Sequence, residues 1–357
     1  MRNKETDVKG KNVVPQSRLG QFLADKSLVL LAFIMLVAFV LMAALRPGIF
    51  LTAANFRAMA FQFPEIGLLA IAVMIAMLLG GIDLSVVGVA NLSTIVAAYA
   101  MIALEPVVGA WSSSALGVLV ALAVGLACGA LNGFLIAKIG IPAILATLGT
   151  MEIFTGISVF ITGGPAVFGL PEPFGLIGSG IVGGVIPVPA IIFFVIVAIG
   201  TIVLQRKKFG LELYLMGTSR KAARFTGIKT DSTIIKAHMM ASLFAACGGI
   251  IMSSRAVSAK SDYGLSYTIM AILVAVLGGV NPFGGFGKVT GVVMAILTVQ
   301  FLSTGLNIMR VDGYFRVFVW GSLLVIMLLL NYFVNKYSEK KQIKALHAPK
   351  KDETETA

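Results

Sequence analysis

Few residues in this chain are equipped for chemistry, and their settings narrow what that chemistry could be. Two carboxylates, Asp83 and Glu152, lie within or at the edge of long apolar runs. An acid at membrane depth costs about 2.5–3.5 kcal/mol at a helix centre, so such a group normally faces a cavity or a partner. Asp83 belongs to Leu79-Gly80-Gly81-Ile82-Asp83-Leu84-Ser85-Val86, where two glycines break an apolar run. Placed just ahead of the next run, it can cap a helix by accepting orphan N–H groups, or it can act on a solute or gate directly. Glu152 closes the stretch Ile141-Pro142-Ala143-Ile144-Leu145-Ala146-Thr147-Leu148-Gly149-Thr150-Met151-Glu152. The two threonines can bond back to their own helix, while Glu152 marks a candidate solute path. Asp83, Ser85, Asn91, Thr147 and Glu152 together make the candidate substrate path or gate.

Other chemistries find no support. The glycine-rich Leu277–Lys288 segment tempts a phosphate-binding reading, but a P-loop needs glycine five residues before its Gly-Lys pair and Ser or Thr after the lysine. Those places hold Pro282 and Val289. Cys128 and Cys247 are far apart, flanked by small residues, and read as helix-packing positions. His238 stands at the start of an apolar run, which reads as interfacial, and His347 stands in a charged tail. No catalytic residue, metal site or bound cofactor is expected of this chain.

The elements that must position these residues are membrane helices. Of 357 residues 58% are hydrophobic and 12% charged, against about 45–50% and about 25% in ordinary soluble domains. The apolar residues form blocks of the length that crosses a bilayer, and continuous runs exclude a β-barrel, which would alternate. The fold class is therefore all-α, a polytopic bundle of about ten spans: 28–45, 61–79, 84–103, 113–136, 142–162, 187–205, 237–254, 264–280, 289–308 and 315–335. The glycine breaks at 80–81 and 278–279 could also be interruptions inside embedded helices. Leu-Gly-Gly-Ile-Asp and Leu-Gly-Gly-Val-Asn echo one another, which would make the bundle two related halves. The apolar, Gly/Pro-rich loop 163–186 could re-enter the membrane face. Residues 1–27 and 336–357 are charged tails, the latter read as disordered.

With the N-terminus in the cytoplasm, 22 Lys/Arg fall on the cytoplasmic side and six outside, as the positive-inside rule requires. Both termini are then cytoplasmic and the protein is a multi-pass membrane protein. The same rule explains the net charge of +12 without nucleic acid. The longest charged insert, 206–236, carries eight Lys/Arg against Glu212 and Asp231. Within it, Gly217-Thr218-Ser219-Arg220-Lys221-Ala222-Ala223-Arg224-Phe225-Thr226-Gly227 reads as a short helix. Ser219 is its N-cap, Gly227 its stop, and Ala222, Ala223 and Phe225 its apolar surface. Arg224 suits the C-terminal end, whereas Arg220 and Lys221 oppose the helix dipole. A docking helix for a soluble partner and a solvated loop helix are both open readings.

Gly-Gly-Ile-Asp-Leu-Ser-Val, Ile144–Gly156, Gly217–Ile228 and Leu277–Gly287, in this order and spacing, resemble the permease subunits of bacterial ABC importers for simple sugars, the branched-chain-amino-acid and ribose-type permease family. The resemblance covers residues 45–335. It implies a homo- or heterodimeric permease core in the lipid of a bacterial inner membrane, cytoplasmic ATPase subunits that bind ATP and Mg, and a periplasmic solute-binding protein. The ATPase-coupling loop then comprises Gly217, Ser219, Arg220, Lys221, Ala222, Ala223, Arg224, Phe225 and Gly227. Two departures stand out: Ser219-Arg220-Lys221 replaces the usual Asn-Glu-Glu, and Thr268-Ile269-Met270 replaces a Glu-Leu-Asp run. The expected function is a passage for a simple sugar or similar small polar solute. An ion-coupled secondary transporter, built on Asp83 and Glu152, is the alternative, and a membrane enzyme finds no clustered groups to support it.

Overall fold

Backbone polar groups that cannot reach water must bond within their own segment, so apolar runs of this length become helices. The structure, a computed structural model, describes residues 26–346, with side chains over 28–329. The expected N-terminal tail lies outside this range apart from its last two residues, as does 347–357.

The helices are α1 (Lys26–Leu45), a short α2 (Pro47–Phe50), α3 (Ala53–Leu78), α4 (Val86–Val108), α5 (Ala110–Phe134), α6 (Ala143–Thr162), α7 (Glu172–Ser179), α8 (Val188–Arg206), α9 (Lys208–Thr218), α10 (Arg220–Phe225), α11 (Thr230–Ala256), α12 (Tyr267–Leu277), α13 (Val289–Ile308) and α14 (Gly313–Leu346). Among the described residues, eight helices are long and apolar enough to cross a membrane, and α12 and the Gly313–Leu329 part of α14 are shorter apolar helices. These ten match the ten expected spans in order. A two-stranded hairpin, β1 (Ile181–Val182) with β2 (Ile186–Pro187), precedes α8.

Two helices form the axis of the bundle. α3 is apolar around its whole circumference from Leu68 to Leu78, and every residue there is buried, as expected of a helix enclosed by others. α11 packs on α3, α4, α5 and α7. Its approach to α5 depends on Gly125, Gly129 and Gly133, one turn apart. A Cβ on Gly129 would lie 2.5 Å from the carbonyl oxygen of His238, and one on Gly133 2.5 Å from Cα of Ile235. Small residues at such spacing let backbones touch where lipid offers no hydrophobic drive. α1, α6 and α8 lie at the periphery, with a third or less of their membrane-length windows buried.

Two sequence expectations change. Span 264–280 is helical only over the 11 residues of α12, about 16 Å at 1.5 Å per residue, roughly half of a hydrocarbon core of about 30 Å. The stretch before it is drawn into the bundle instead: Asn91 Nδ2 donates to the carbonyls of Ser261 at 2.8 Å and Tyr263 at 2.9 Å. The C-terminal tail is helical through Leu346, because Glu339, Lys340, Lys341, Gln342 and Lys344 are strong helix formers that prolong α14. The loop 163–186 packs down on the bundle: Val167 and Ala259 exchange backbone hydrogen bonds, and Phe174 of α7 is buried.

The two Gly-Gly breaks are one device used twice. α3 ends with Gly80 at φ +82°, Gly80 N–H donating to Met77 O and Gly81 N–H to Ala76 O; α12 ends with Gly279 at φ +82°, its N–H donating to Val276 O and that of Val280 to Ala275 O. Both are Schellman endings, which need a left-handed residue that glycine supplies without strain. The equivalence is shifted one residue from the sequence match, so Gly80 corresponds to Gly279. The two breaks also meet. Gly285 N–H donates to Leu78 O at 3.1 Å, and Gly217 of α9 sits against both, where a Cβ would lie 1.9 Å from Leu78 O and 2.3 Å from Gly285 N. Gly217→Ala is expected to destabilise the purified protein by about 2 kcal/mol through overpacking against backbone. Gly149→Ala, with no atom within 4 Å of the added carbon, is the control. Equal melting temperatures for the two variants would contradict the close approach.

Candidate functional site

The charged insert folds as two helices joined at Ser219. α10 is capped as expected: Ala222 N–H donates to Ser219 Oγ at 3.3 Å, and Gly227 at φ +82° ends it, donating to Arg224 O. Its faces differ from the sequence reading in one respect. Ala223 is buried with Ile136, Ala146, Met216 and Ile234, so it fastens the helix to the bundle instead of contributing to its free surface. Arg220, Lys221, Ala222 and Arg224 are exposed, and Phe225 is 92% exposed. Further ties hold this end together. Lys138 Nζ lies 3.1 Å from Asp231 Oδ2, and Thr233 donates to Glu212 at 3.0 Å.

Beneath α10 lies a cavity of about 320 Å³, lined by Gly80, Gly81, Pro142, Ala143, Arg220 and His238 among others. One wall is the π-helical turn Leu135–Ile139 that ends α5, a feature often found beside functional sites. His238 is buried: α11 begins at Thr230, so His238 lies two turns in, its Nδ1 3.0 Å from Ile234 O.

The predicted path residues divide. Asp83, Ser85 and Thr147 come together in a buried network with Asn132, which the sequence reading missed. Asp83 Oδ1 accepts from Ser85 N–H at 2.9 Å and Ser85 Oγ–H at 2.6 Å, while Asn132 Nδ2 donates to Ser85 Oγ at 2.7 Å. Thr147 Oγ1 accepts from Leu84 N–H at 3.1 Å. This arrangement satisfies the backbone where α3 has ended and α4 has not begun. Asn91 is elsewhere, holding the 261–263 stretch. Glu152 stands apart on an exposed face of α6. None of the five lines the cavity under α10 or a second one at the other end of the bundle.

The second of these cavities, of about 350 Å³, lies at the end away from the charged insert, between α3, the end of α11, the start of α12, α13 and the start of α14. Its walls are polar. Glu65, on α3 and 1% exposed, faces Arg255: Arg255 Nη2 donates to Glu65 Oε2 at 3.0 Å, and Nε lies 2.7 Å from Oε1. Gln300 donates to Gln62 Oε1 at 3.1 Å and to Thr304 Oγ1 at 3.0 Å. Sequence spacing alone does not join these groups. An acid inside an apolar run was available at Glu65, as at Asp83, but Gln62, Arg255 and Gln300 are far apart in sequence and only packing joins them. Along α3 the two cavities are separated from Ile66 to Ala76, about 15 Å of helix in which Gly67 to Met77 are all buried.

Comparison with known proteins places the chain. Residues 55–328 match the family model described as branched-chain amino acid transport system / permease component. The chain is 30% identical over 306 residues to the D-allose transport system permease protein AlsC of Escherichia coli K12, covering 85% of this chain and 91% of that one. It is 32% identical over 295 residues to the ribose import permease protein RbsC of Bacillus subtilis, covering 82% and 88%. It is 31% identical over 264 residues to the autoinducer 2 import system permease protein LsrC of Yersinia enterocolitica, covering 74% and 71%. No solved structure matches. The chain belongs to this family of transport-system permease components and is a multi-pass membrane protein.

Two outcomes follow from the buried polar groups. Asp83→Asn keeps the Oδ1 acceptor and should melt close to the unaltered protein, whereas Asp83→Leu should lose about 1–3 kcal/mol by leaving Ser85 unpaired; equal losses would show that charge, not acceptance, matters. Arg255→Met should cost about 3–5 kcal/mol by stranding the Glu65 carboxylate, and adding Glu65→Leu should recover most of it. Additive losses in the double variant would contradict the pairing.

Proposed function

We propose that this permease component forms the passage for a monosaccharide or related polyol, and that α10 is the surface on which a cytoplasmic ATPase subunit seats. The substrate class follows the relatives named for D-allose and ribose. Orientation follows charge: the eight Lys/Arg of the 206–236 insert favour the cytoplasm for that end of the bundle, and the opposite cavity then faces a periplasmic solute-binding protein. ATP and Mg are held by the ATPase, since the glycine-rich segment of this chain lacks the spacing of a phosphate loop.

The observation that carries the coupling reading is the position of Gly217. It joins α9 and α10 directly to the two helix breaks, through contacts with Leu78 O and Gly285 N. A push on α10 is therefore delivered to the ends of α3 and α12 together. Closure of the ATPase pair would move this unit, opening one cavity as the other closes. Phe225 and Ala222 offer the apolar anchor for the partner. Arg220 and Lys221, set against the positive end of the α10 dipole, are best matched by acids on it.

A second permease subunit would cover the outer face of α6. There Glu152 is exposed beside Ile153 and Phe160, the latter two 53% and 88% exposed. A carboxylate turned to lipid is costly, and a dimer seam or the passage itself relieves that cost. The ion-coupled alternative needs a free acid at a broken helix; Asp83, the acid at the break, is committed to Ser85.

The docking role is tested on Phe225, whose exposure means that its truncation leaves the bundle intact. Phe225→Ala should reduce the ATPase recovered with the tagged chain about tenfold or more, as for an interface anchor, with an unchanged melting temperature. Full recovery and full uptake would remove the docking role. Recovery of no ATPase with the unaltered chain would overturn the importer reading itself.

A further inference from the structure

We infer that the cavity between α3, α12, α13 and α14 is where the passing solute is recognised, and that it takes a neutral, hydroxyl-rich molecule of monosaccharide size. This rests on the sugar-passage reading and gives that reading a site. The cavity's volume of about 350 Å³ is at the lower end of small-molecule pockets. Its lining departs from the composition of the bundle. Gln62, Gln300, Arg255, Tyr267 and Trp320 all border it, in a chain that is 58% hydrophobic.

Each of these groups suits a hydroxylated ring. A carboxamide both donates and accepts, as a sugar hydroxyl does. Gln300 gives its amide hydrogens to Gln62 and Thr304, which leaves its carbonyl oxygen and the Gln62 amide nitrogen without protein partners among the described residues. The Glu65 carboxylate offsets the charge of Arg255 and fixes the guanidinium plane, leaving further N–H donors in a set direction. Tyr267 and Trp320 offer apolar ring faces for the C–H side of a sugar. Arg316, in the first turn of α14, also borders the cavity; it donates to Asn307, and its buried Nε has a hydrogen to give.

The backbone gives an independent reason. α12 starts inside the bundle after an irregular stretch, held there by Asn91, and Ser266 and Tyr267 at its start border the cavity. Irregular backbone at membrane depth is tolerated where it is buried in protein or lines a polar space. The cavity under α10 has a different character: apart from Arg220 and His238 its side chains are aliphatic or methionine, a surface a sugar would leave rather than hold.

The test uses the full transporter carrying Ser303→Cys, a one-atom change at a residue bordering the cavity. Modification by a membrane-impermeant thiol reagent is followed with ribose, xylose, allose, glucose or galacturonate present, after uptake of each by the unaltered transporter has been measured. An imported neutral sugar should slow modification about tenfold or more, and Gln300→Leu should raise the half-protecting concentration about fivefold to tenfold. Gln300→Asn, which keeps the amide but withdraws it, should change the ratio of uptake between epimeric sugars. Modification indifferent to an imported sugar, protection by galacturonate alone, or an equal loss of uptake for every sugar in Gln300→Asn would overturn the inference while leaving the importer intact. Import of no sugar by the unaltered transporter would overturn the sugar reading, and this site with it.

Discussion

The structure depends on a contact between backbones. Leu78 O, one of the last carbonyls of α3, would lack a partner at the helix end, and Gly285 N–H supplies one at 3.1 Å. The donor comes from the break that follows α12, more than two hundred residues later. Gly217 lies against the same two groups, and a Cβ on Gly284 would fall 2.6 Å from Gly217 O. Three segments thus meet through glycines, with no side chain between them. A contact of this kind has little slack. It fixes where α3 and α12 stop, and it makes the charged insert an extension of both.

From that constraint the arrangement of polar groups follows. Ending α3 early leaves backbone at 79–85 that must be satisfied away from water, and Asp83, Ser85, Asn132 and Thr147 satisfy it. α12 likewise spans only part of the thickness, and the space above its start is filled by polar side chains around the Glu65–Arg255 pair. The result is a cavity toward each end of the bundle, the two divided by the tightly packed middle of α3. A movement that tilts α3 and α12 as a pair would change both cavities at once, which is what alternating exposure of a passage requires.

Much of this was legible in the sequence. The ten apolar segments appear in order because their length and continuity leave no other backbone solution. The cap at Ser219 and the stop at Gly227 are local chemistry and hold where local chemistry decides. Other features needed the third dimension. Ala223 faces inward because of what α10 packs on, which periodicity over six residues cannot reveal. The match of Gly80-Gly81 to Gly278-Gly279 was visible, but its one-residue shift and the meeting of the two breaks were not. The span over 264–280 read as a full crossing because its hydrophobicity continues past the short helix; the bonds from Asn91 that draw the preceding stretch inward come from a distant helix. Gln62, Arg255 and Gln300 border one cavity only because α3, α11 and α13 converge there. Glu152 was found by the same rule that overlooked Glu65, and the two lie in opposite settings, one exposed and one buried.

The central claim is that the charged insert and the two helix breaks move as one body. Spin labels placed at Lys221 and Phe283, both exposed, report the separation within that body, and a second pair at Lys221 and Phe160 reports its separation from the far end of α6. Measured in the assembled transporter with and without ATP, the first distance should keep one unshifted distribution while the second changes. A change in the Lys221–Phe283 distance as large as that in the Lys221–Phe160 distance would contradict the account.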